Sequence, residues 1–138
     1  MENSSIFIDI NALFSFFDKK DKNHKSVSNS LKECNKKFVT SNFILDELIT
    51  LMKVRKISVN SYKNYVEKIY SGISCQLIRI SEDNEKNAWE IMQKYADHEF
   101  SFTDCTSFAL MKENNITLAC SLDRHFYEFG VQVIPEIK

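Results

Sequence analysis

The sequence predicts an α/β domain built on a mostly parallel sheet. Short β-branched runs alternate along the chain with longer stretches in which apolar residues recur at helical spacing, the pattern of strand–helix–strand units. Of the 138 residues, 43% are hydrophobic and 11 are phenylalanine, which is enough to fill one core. No internal repeat, low-complexity tract or linker divides the sequence. We therefore expect residues 1–138 to form a single domain.

The first predicted strand is the apolar run IFIDI, residues 6–10, whose composition suits a strand buried on both faces. The run ALFSFF that follows, residues 12–17, is compatible with a helical turn. A polar break over residues 18–23 separates it from a helix predicted over residues 24–34, where apolar side chains recur at helical spacing.

The second predicted strand, residues 38–40, leads into two helices. The first is predicted over residues 42–56, with Ser41 or Asn42 as its N-cap and with basic residues in its last turn that suit the helix dipole. The second helix, residues 59–70, repeats the helical pattern of apolar side chains.

The second half of the chain continues the alternation. A third strand is predicted over residues 76–80, and Ser81 would then cap a helix whose first turn is acidic. Another helix is predicted after Thr103. Strands over residues 116–120 and 131–134 complete the predicted sheet.

The composition excludes several classes of site. Two glycines are too few for a P-loop or a dinucleotide-binding turn, because both need glycines where the backbone approaches phosphates. Four widely separated cysteines lack the spacing of a structural zinc site. The N-terminus lacks the features of a secretory signal, and no run approaches the ~18 apolar residues of a membrane span. We therefore expect a cytoplasmic protein that makes no membrane contact.

Four acids are predicted to meet at one edge of the sheet. Asp9 lies near the carboxyl end of the first strand, and Asp123 lies three residues past the fourth strand. Asp104 begins the helix that leads into that fourth strand, and Glu47 lies about two turns into the helix after the second strand. Sites in open parallel sheets form beyond the carboxyl ends of the strands, which is where these four segments converge.

A cluster of carboxylates restricts which ions can bind and which reactions the site can support. They repel one another unless they are protonated or bridged by cations. Oxygen ligands select hard divalent ions such as Mg²⁺ or Mn²⁺. An ion of this kind lowers the pKa of a bound water and stabilises charge on attacking and leaving oxygens, so a phosphodiester is the natural substrate.

Each acid also has a purely structural interpretation. Asp104 is equally consistent with an acid that interacts with the helix dipole, and Asp123 with a turn or cap residue. Glu47 is consistent with a solvated helix residue. Asp9 is the hardest to explain in this way, because an unpaired acid within a buried strand costs several kcal/mol.

The four acidic stretches together resemble the PIN-domain ribonucleases, especially the toxins of VapBC toxin–antitoxin pairs. The first motif of that family corresponds to FIDIN, with Asp9 and Asn11, and the second to VTSNFILDEL, with Glu47. The third corresponds to SFTDC, with Asp104, and the fourth to SLDRHF, with Asp123.

This resemblance covers nearly the whole chain and departs from the family pattern at two positions. Ile10 follows the first acid where Thr or Ser is usual, and Ser121 stands in the fourth motif where Thr or Asn is common. Neither departure removes an acid, so we expect an active enzyme.

The resemblance implies a three-layer α/β/α sandwich around a mostly parallel sheet of about five strands. It also implies Mg²⁺- or Mn²⁺-dependent hydrolysis of RNA that leaves 3′-hydroxyl and 5′-phosphate ends. Asp9, Asp104 and Asp123 would bind metal directly, and Glu47 would bind metal or orient the attacking water. The hydrogen-bonding residues that would support these ligands are Asn11, Thr103 and Ser121.

The resemblance further implies an RNA substrate, an antitoxin whose peptide covers the acidic groove, and a homodimer that uses apolar surface from residues 42–70. Residues that we consider as RNA contacts are Arg124, His125, Lys53, Arg55 and Lys56. The aromatic residues expected in the core rather than as base-stacking platforms are Trp89, Tyr95 and Phe108.

Two other functions remain compatible with the sequence. One is a housekeeping RNA-processing or DNA nuclease of the same fold, which an adjacent antitoxin reading frame would argue against. The other is a catalytically silent RNA-binding or regulatory module, against which the complete set of acids argues.

Overall fold

The computed structural model describes residues 4–136, which form an alternating series of strands and helices. The strands are β1 (Ser5–Ile8), β2 (Lys37–Ser41), β3 (Gln76–Ile78), β4 (Leu118–Cys120) and β5 (Gln132–Ile134). The helices are α1 (Ile10–Phe17), α2 (His24–Cys34), α3 (Asn42–Val54), α4 (Val59–Tyr70), α5 (Glu82–Lys94), α6 (Phe102–Glu113) and α7 (His125–Phe129).

The five strands form one parallel sheet in the order β3-β2-β1-β4-β5. The central strand β1 pairs through Phe7 with Val39 on one side and with Ala119 on the other. Helices flank the sheet; α1 packs with α2 and α3, and α5 packs with α6. The predicted α/β/α fold with a parallel five-stranded sheet is therefore confirmed. All five carboxyl ends lie at the same edge.

The first strand ends earlier than the sequence predicts, at Ile8 rather than at residue 10. Asp9 is extended and serves as the N-cap of α1. Its N–H still donates to the carbonyl of Cys120 at 3.0 Å, while its own carbonyl accepts the N–H of Leu13 at 3.0 Å. Asp9 therefore joins the sheet to the helix, and α1 is a full eight-residue helix rather than a single turn.

The start of α3 resolves the choice between two caps. The hydroxyl of Ser41 accepts the N–H of Ile44 at 3.1 Å, so Ser41 is the N-cap. The side chain of Asn42 instead accepts the N–H of Ile80 at 2.7 Å. This bond takes Ile80 out of the strand ladder, which explains why β3 ends at Ile78 rather than at residue 80.

Helix α6 passes through the core and sets the position of the third acid. Residues 105–111 are all buried, and the helix packs against α5 and α7. The ring of Phe108 stacks on Phe129 at 4.3 Å and meets Phe126 edge-on at 4.9 Å. None of the helices within residues 4–136 is long and apolar enough to cross a membrane.

Candidate active site

Three carboxylates and one imidazole converge beyond the carboxyl ends of β1 and β4. Ligand atoms of Asp104, Asp123 and His125 all lie within 4.8 Å of one another. The charges of Asp123 and Asp104 both act on Asp9, which lies behind this group. Residues separated by more than one hundred positions in the sequence therefore share one site, as the parallel topology predicts.

Asp9 is the most deeply buried of the acids, with 2% of its surface exposed. The hydroxyl of Ser121 donates to Asp9 Oδ2 at 3.1 Å. Burial, and then the charge of Asp123, raise the pKa of Asp9 from 3.8 to about 8. Without a nearby cation, this carboxyl therefore holds a proton at neutral pH.

Asp104 is fixed by a reciprocal helix cap. Its N–H donates to the hydroxyl of Ser101 at 3.0 Å, and the N–H of Ser101 donates back to Asp104 Oδ2 at 3.0 Å. The same carboxylate oxygen lies 2.7 Å from His125 Nδ1. Asp104 is thus both the acid that completes the capping box of α6, whose N-cap is Ser101, and a member of the cluster. The sequence left open whether Asp104 is an acid at a helix N-terminus or a member of the acidic cluster, and in the structure it is both.

Asp123 is held by the turn that follows β4. Its N–H lies 3.4 Å from the hydroxyl of Ser121, and its Oδ1 accepts the N–H of His125 at 2.9 Å. Burial raises the pKa of Asp123, the hydrogen bond from His125 lowers it, and the charge of Asp104 raises it further. The net increase shows that the turn only partly offsets the cost of placing this charge here.

Glu47 faces the same cluster from α3. Burial and the charge of Asp104 raise the pKa of Glu47, while a hydrogen bond with the side chain of Thr103 lowers it. Two of the three supporting residues expected from the sequence therefore contact an acid, Thr103 with Glu47 and Ser121 with Asp9. Asn11 lies exposed in the first turn of α1, two residues after Asp9.

His125 is the site residue whose place the sequence did not predict. The sequence is compatible with a phosphate contact or a surface cap at His125, because the short helix α7 is not predicted and nothing in the spacing indicates a bond to Asp104. Burial alone would lower the pKa of His125, but the hydrogen bond with Asp104 and the charge of Asp123 raise it. The acids around the imidazole therefore favour its protonated form more than water does in a free histidine.

The basic residues considered as RNA contacts fall into two groups. Arg124 is exposed directly beside Asp123, and its guanidinium lies 5.5 Å over the ring of Tyr127. The other group lies at the far end of α3, where Lys53 is about 9 Å along the helix axis from Glu47. In that group, Arg55 is stacked over Phe14 at 4.4 Å. The residues of this far group are Lys53, Arg55 and Lys56.

The donor set fits a divalent cation. Carboxylate oxygens dominate it, as Mg²⁺ and Mn²⁺ prefer. Three carboxyl groups at or behind the cluster have raised pKa values, which are those of Asp9, Glu47 and Asp123. A bound cation would lower all three by favouring the charged forms.

Comparison with known proteins gives a consistent result. The PIN domain family matches residues 6–132. The 23S rRNA-specific endonuclease VapC20 of Mycobacterium tuberculosis is 31% identical over 99 residues, which cover 71% of this chain and 74% of that protein.

Solved structures extend the similarity to the whole fold. The crystal structure of Mycobacterium tuberculosis VapC20, described as a sarcin–ricin-loop-cleaving toxin, superposes with a TM-score of 0.82 at 25% identity, covering 91% of this chain and 95% of that one. FitAcB from Neisseria gonorrhoeae shares the fold with a TM-score of 0.69 at 16% identity, covering 93% and 95%. The PIN domain family matches most of the sequence, and VapC20 is similar to it in both sequence and fold. The chain therefore belongs to the PIN-domain family, among the VapC-type toxins.

Proposed function

We propose that the protein is a metal-dependent endoribonuclease that serves as the toxin of a type II toxin–antitoxin pair. The observation that carries the proposal is the buried carboxyl of Asp9, which lies behind Asp104 and Asp123 with its pKa raised to about 8. The charges of Asp104 and Asp123 raise the pKa of Asp9, so these carboxylates repel one another when ionised. Such a cluster is explained by a bound cation and the chemistry that the cation supports.

In this proposal Asp9, Asp104 and Asp123 hold one or more Mg²⁺ or Mn²⁺ ions, and Glu47 holds metal or orients water. The ion, when bound, acts as a Lewis acid that lowers the pKa of water and neutralises charge on the phosphate. Glu47 accepts a hydrogen bond from the attacking water, aided by its contact with Thr103. Ser121 holds Asp9 through its 3.1 Å hydrogen bond.

The reaction is the hydrolysis of an RNA phosphodiester. The water oxygen bonds to phosphorus as the bond from phosphorus to the 3′ oxygen breaks, and the 3′ oxygen leaves with a proton. The products carry 3′-hydroxyl and 5′-phosphate ends. In this proposal Arg124, which is exposed beside Asp123, contacts a phosphate of the substrate strand.

The relative VapC20 is named for its action on 23S rRNA, so ribosomal RNA is the substrate class that we propose to test first. An antitoxin peptide that covers the acidic groove and a location in the cytoplasm belong to the same proposal. Homodimerisation would use residues 42–70, where Val54 and Val59 are 71% and 54% exposed. Light scattering tests the dimer directly, since a dimer has twice the chain mass of 16.1 kDa.

A cleavage assay tests the proposed activity. Purified protein and the Asp104→Asn variant are incubated with total ribosomal and transfer RNA in Mg²⁺, Mn²⁺ or EDTA. We expect discrete products from the wild type with metal, and none with EDTA or with the variant. An amide at residue 104 still accepts the hydrogen bond of the cap, so the variant keeps the fold. Equal cleavage by well-folded Asp104→Asn would refute the assignment.

A further inference from the structure

We propose that His125 is a nitrogen ligand of the metal in this site, so that the site binds Mn²⁺ in preference to Mg²⁺. This inference rests on the proposed function, because it concerns the same metal. It adds an imidazole to a ligand set that the family resemblance gives as carboxylates alone.

The position of the imidazole supports ligation. His125 Nδ1 lies 2.7 Å from Asp104 Oδ2. One potential ligand atom from each of His125, Asp104 and Asp123 lies within 4.8 Å of the other two. Neighbouring ligands of an octahedral ion with bonds near 2.1 Å are about 3 Å apart. The imidazole and the Asp104 carboxylate therefore need to separate only slightly to bind one ion between them.

The ring is also held in this position by contacts other than its bond to Asp104. The backbone N–H of His125 donates to Asp123 Oδ1 at 2.9 Å, which ties the residue to the second carboxylate. The ring of Phe100 meets the imidazole edge-on, with 5.7 Å between the ring centres. Because these contacts fix the ring, ligation would cost little conformational entropy.

A second His–Asp pair, His98 with Asp97, has the same kind of hydrogen bond but lies outside the acidic cluster. His98 Nδ1 lies 3.0 Å from Asp97 Oδ1, but the Asp97 side chain is 86% exposed. The Asp104 side chain is only 13% exposed. Within residues 4–136, the group of three potential ligands is formed at His125 and not at His98. The His98 pair is therefore a matched control that has the hydrogen bond without the site.

An imidazole ligand changes which ion is preferred. Affinity for nitrogen donors rises along the first-row divalent metals, and imidazole suits these ions better than it suits Mg²⁺. Mg²⁺ also gives up its waters reluctantly and is bound mostly through oxygen. Removal of His125 should therefore weaken Mn²⁺ binding far more than Mg²⁺ binding.

The test uses the full chain loaded with Mn²⁺ and electron spin-echo spectroscopy, which detects nitrogen bonded directly to the ion. The variants are His125→Asn and His98→Asn. An Asn amide at residue 125 keeps a donor near the position of Nδ1, so the hydrogen bond to Asp104 can survive while the nitrogen ligand is lost. We expect ligand-nitrogen modulation in the wild type and in His98→Asn, and its loss in His125→Asn.

Calorimetry supplies the second readout. In His125→Asn we expect the Mn²⁺ affinity to fall at least about tenfold and the Mg²⁺ affinity to change by less than about twofold. Bound Mn²⁺ without a directly bonded nitrogen, or unchanged Mn²⁺ affinity in the variant, would overturn the inference and leave His125 as a residue that orients Asp104.

The two proposals fail in different ways. Metal-dependent RNA cleavage by a preparation whose Mn²⁺ shows no nitrogen ligand would refute the role of His125 and retain the nuclease. Absence of both Mn²⁺ binding and cleavage in the well-folded wild type would refute the two together.

Discussion

Asp9 shows the cost that the site imposes on the folded protein. Its carboxyl is buried, and each unit by which burial raises a pKa reflects about 1.4 kcal/mol of preference for the neutral form. The unfolded chain has no such preference. At neutral pH the metal-free protein therefore loses stability at this residue, and a bound cation would restore it.

Replacement of Asp9 by Asn should stabilise the metal-free protein. The amide is neutral at every pH and can still accept the hydrogen bond from Ser121. We expect the free energy of unfolding at pH 7 to rise by roughly 1–3 kcal/mol while cleavage is lost. Urea denaturation in EDTA measures the change. A variant less stable than the wild type would contradict the raised pKa of Asp9.

The raised pKa values also predict how stability depends on pH. The pKa of Asp9 is raised from 3.8 to about 8, so between these values the unfolded chain loses a proton that the folded chain keeps. Stability therefore falls as the pH rises through this window. The pKa of His125 is raised above 6.5, so its contribution is complete below that pH and is lost as the pH rises through its folded value.

The corresponding measurement is the melting temperature in EDTA at pH 5 and pH 8. We expect the higher value at pH 5, and we expect Mn²⁺ to reduce the difference by stabilising the protein at pH 8. A metal-free protein that melts at a higher temperature at pH 8 would show that groups outside the acidic cluster dominate the pH dependence.

Among the elements, the N-terminus of α6 connects folding most directly with the site. The hydroxyl of Ser101 caps this helix and accepts the N–H of Asp104, while the hydroxyl of Ser81 caps α5 and accepts the N–H of Asn84. Both bonds are 3.0 Å long. The α6 cap has in addition the reciprocal bond from the Ser101 N–H to the Asp104 carboxylate, and it alone holds a residue of the cluster.

The variants Ser101→Ala and Ser81→Ala should therefore differ in function and not in stability. Each should lose about 1 kcal/mol of unfolding free energy, because one capping bond is removed. Ser101→Ala should in addition weaken Mn²⁺ binding about tenfold, because the first turn of α6, which carries Asp104, loses the bond that anchors its backbone. Urea denaturation and calorimetry on both variants test this. Equal metal affinity in the two would mean that the cap does not position Asp104.

Elements with strong local signals were predictable, and those that depend on tertiary contacts were not. Ser81 preceded an acidic first turn, and α5 begins there as predicted. The expectation for Trp89 was wrong, because only a narrow face of α5 that includes Ala88 packs inward and leaves Trp89 57% exposed. Helix α7 was missed because five residues give too short a period to recognise.

For the whole molecule, the topology determined how much of the site the sequence could indicate. Parallel strands place their carboxyl ends at one edge, so acids after β1 and β4 had to be neighbours. The rotation of side chains within the site is set by packing, which explains why the contact between His125 and Asp104 was not foreseen. The stacking of Arg55 on Phe14 also depends on side-chain packing, and no sequence pattern indicates it.

The most direct test of the central claim is the chemistry of the RNA ends that the protein produces. Wild type and Asp104→Asn are incubated with ribosomal RNA and Mn²⁺, and the new ends are identified by ligation that requires a 5′-phosphate and a 3′-hydroxyl. Hydrolysis by metal-activated water predicts ligatable ends from the wild type alone. Cyclic-phosphate ends, or equal cleavage by the variant, would contradict a metal-dependent hydrolase built on this acidic cluster.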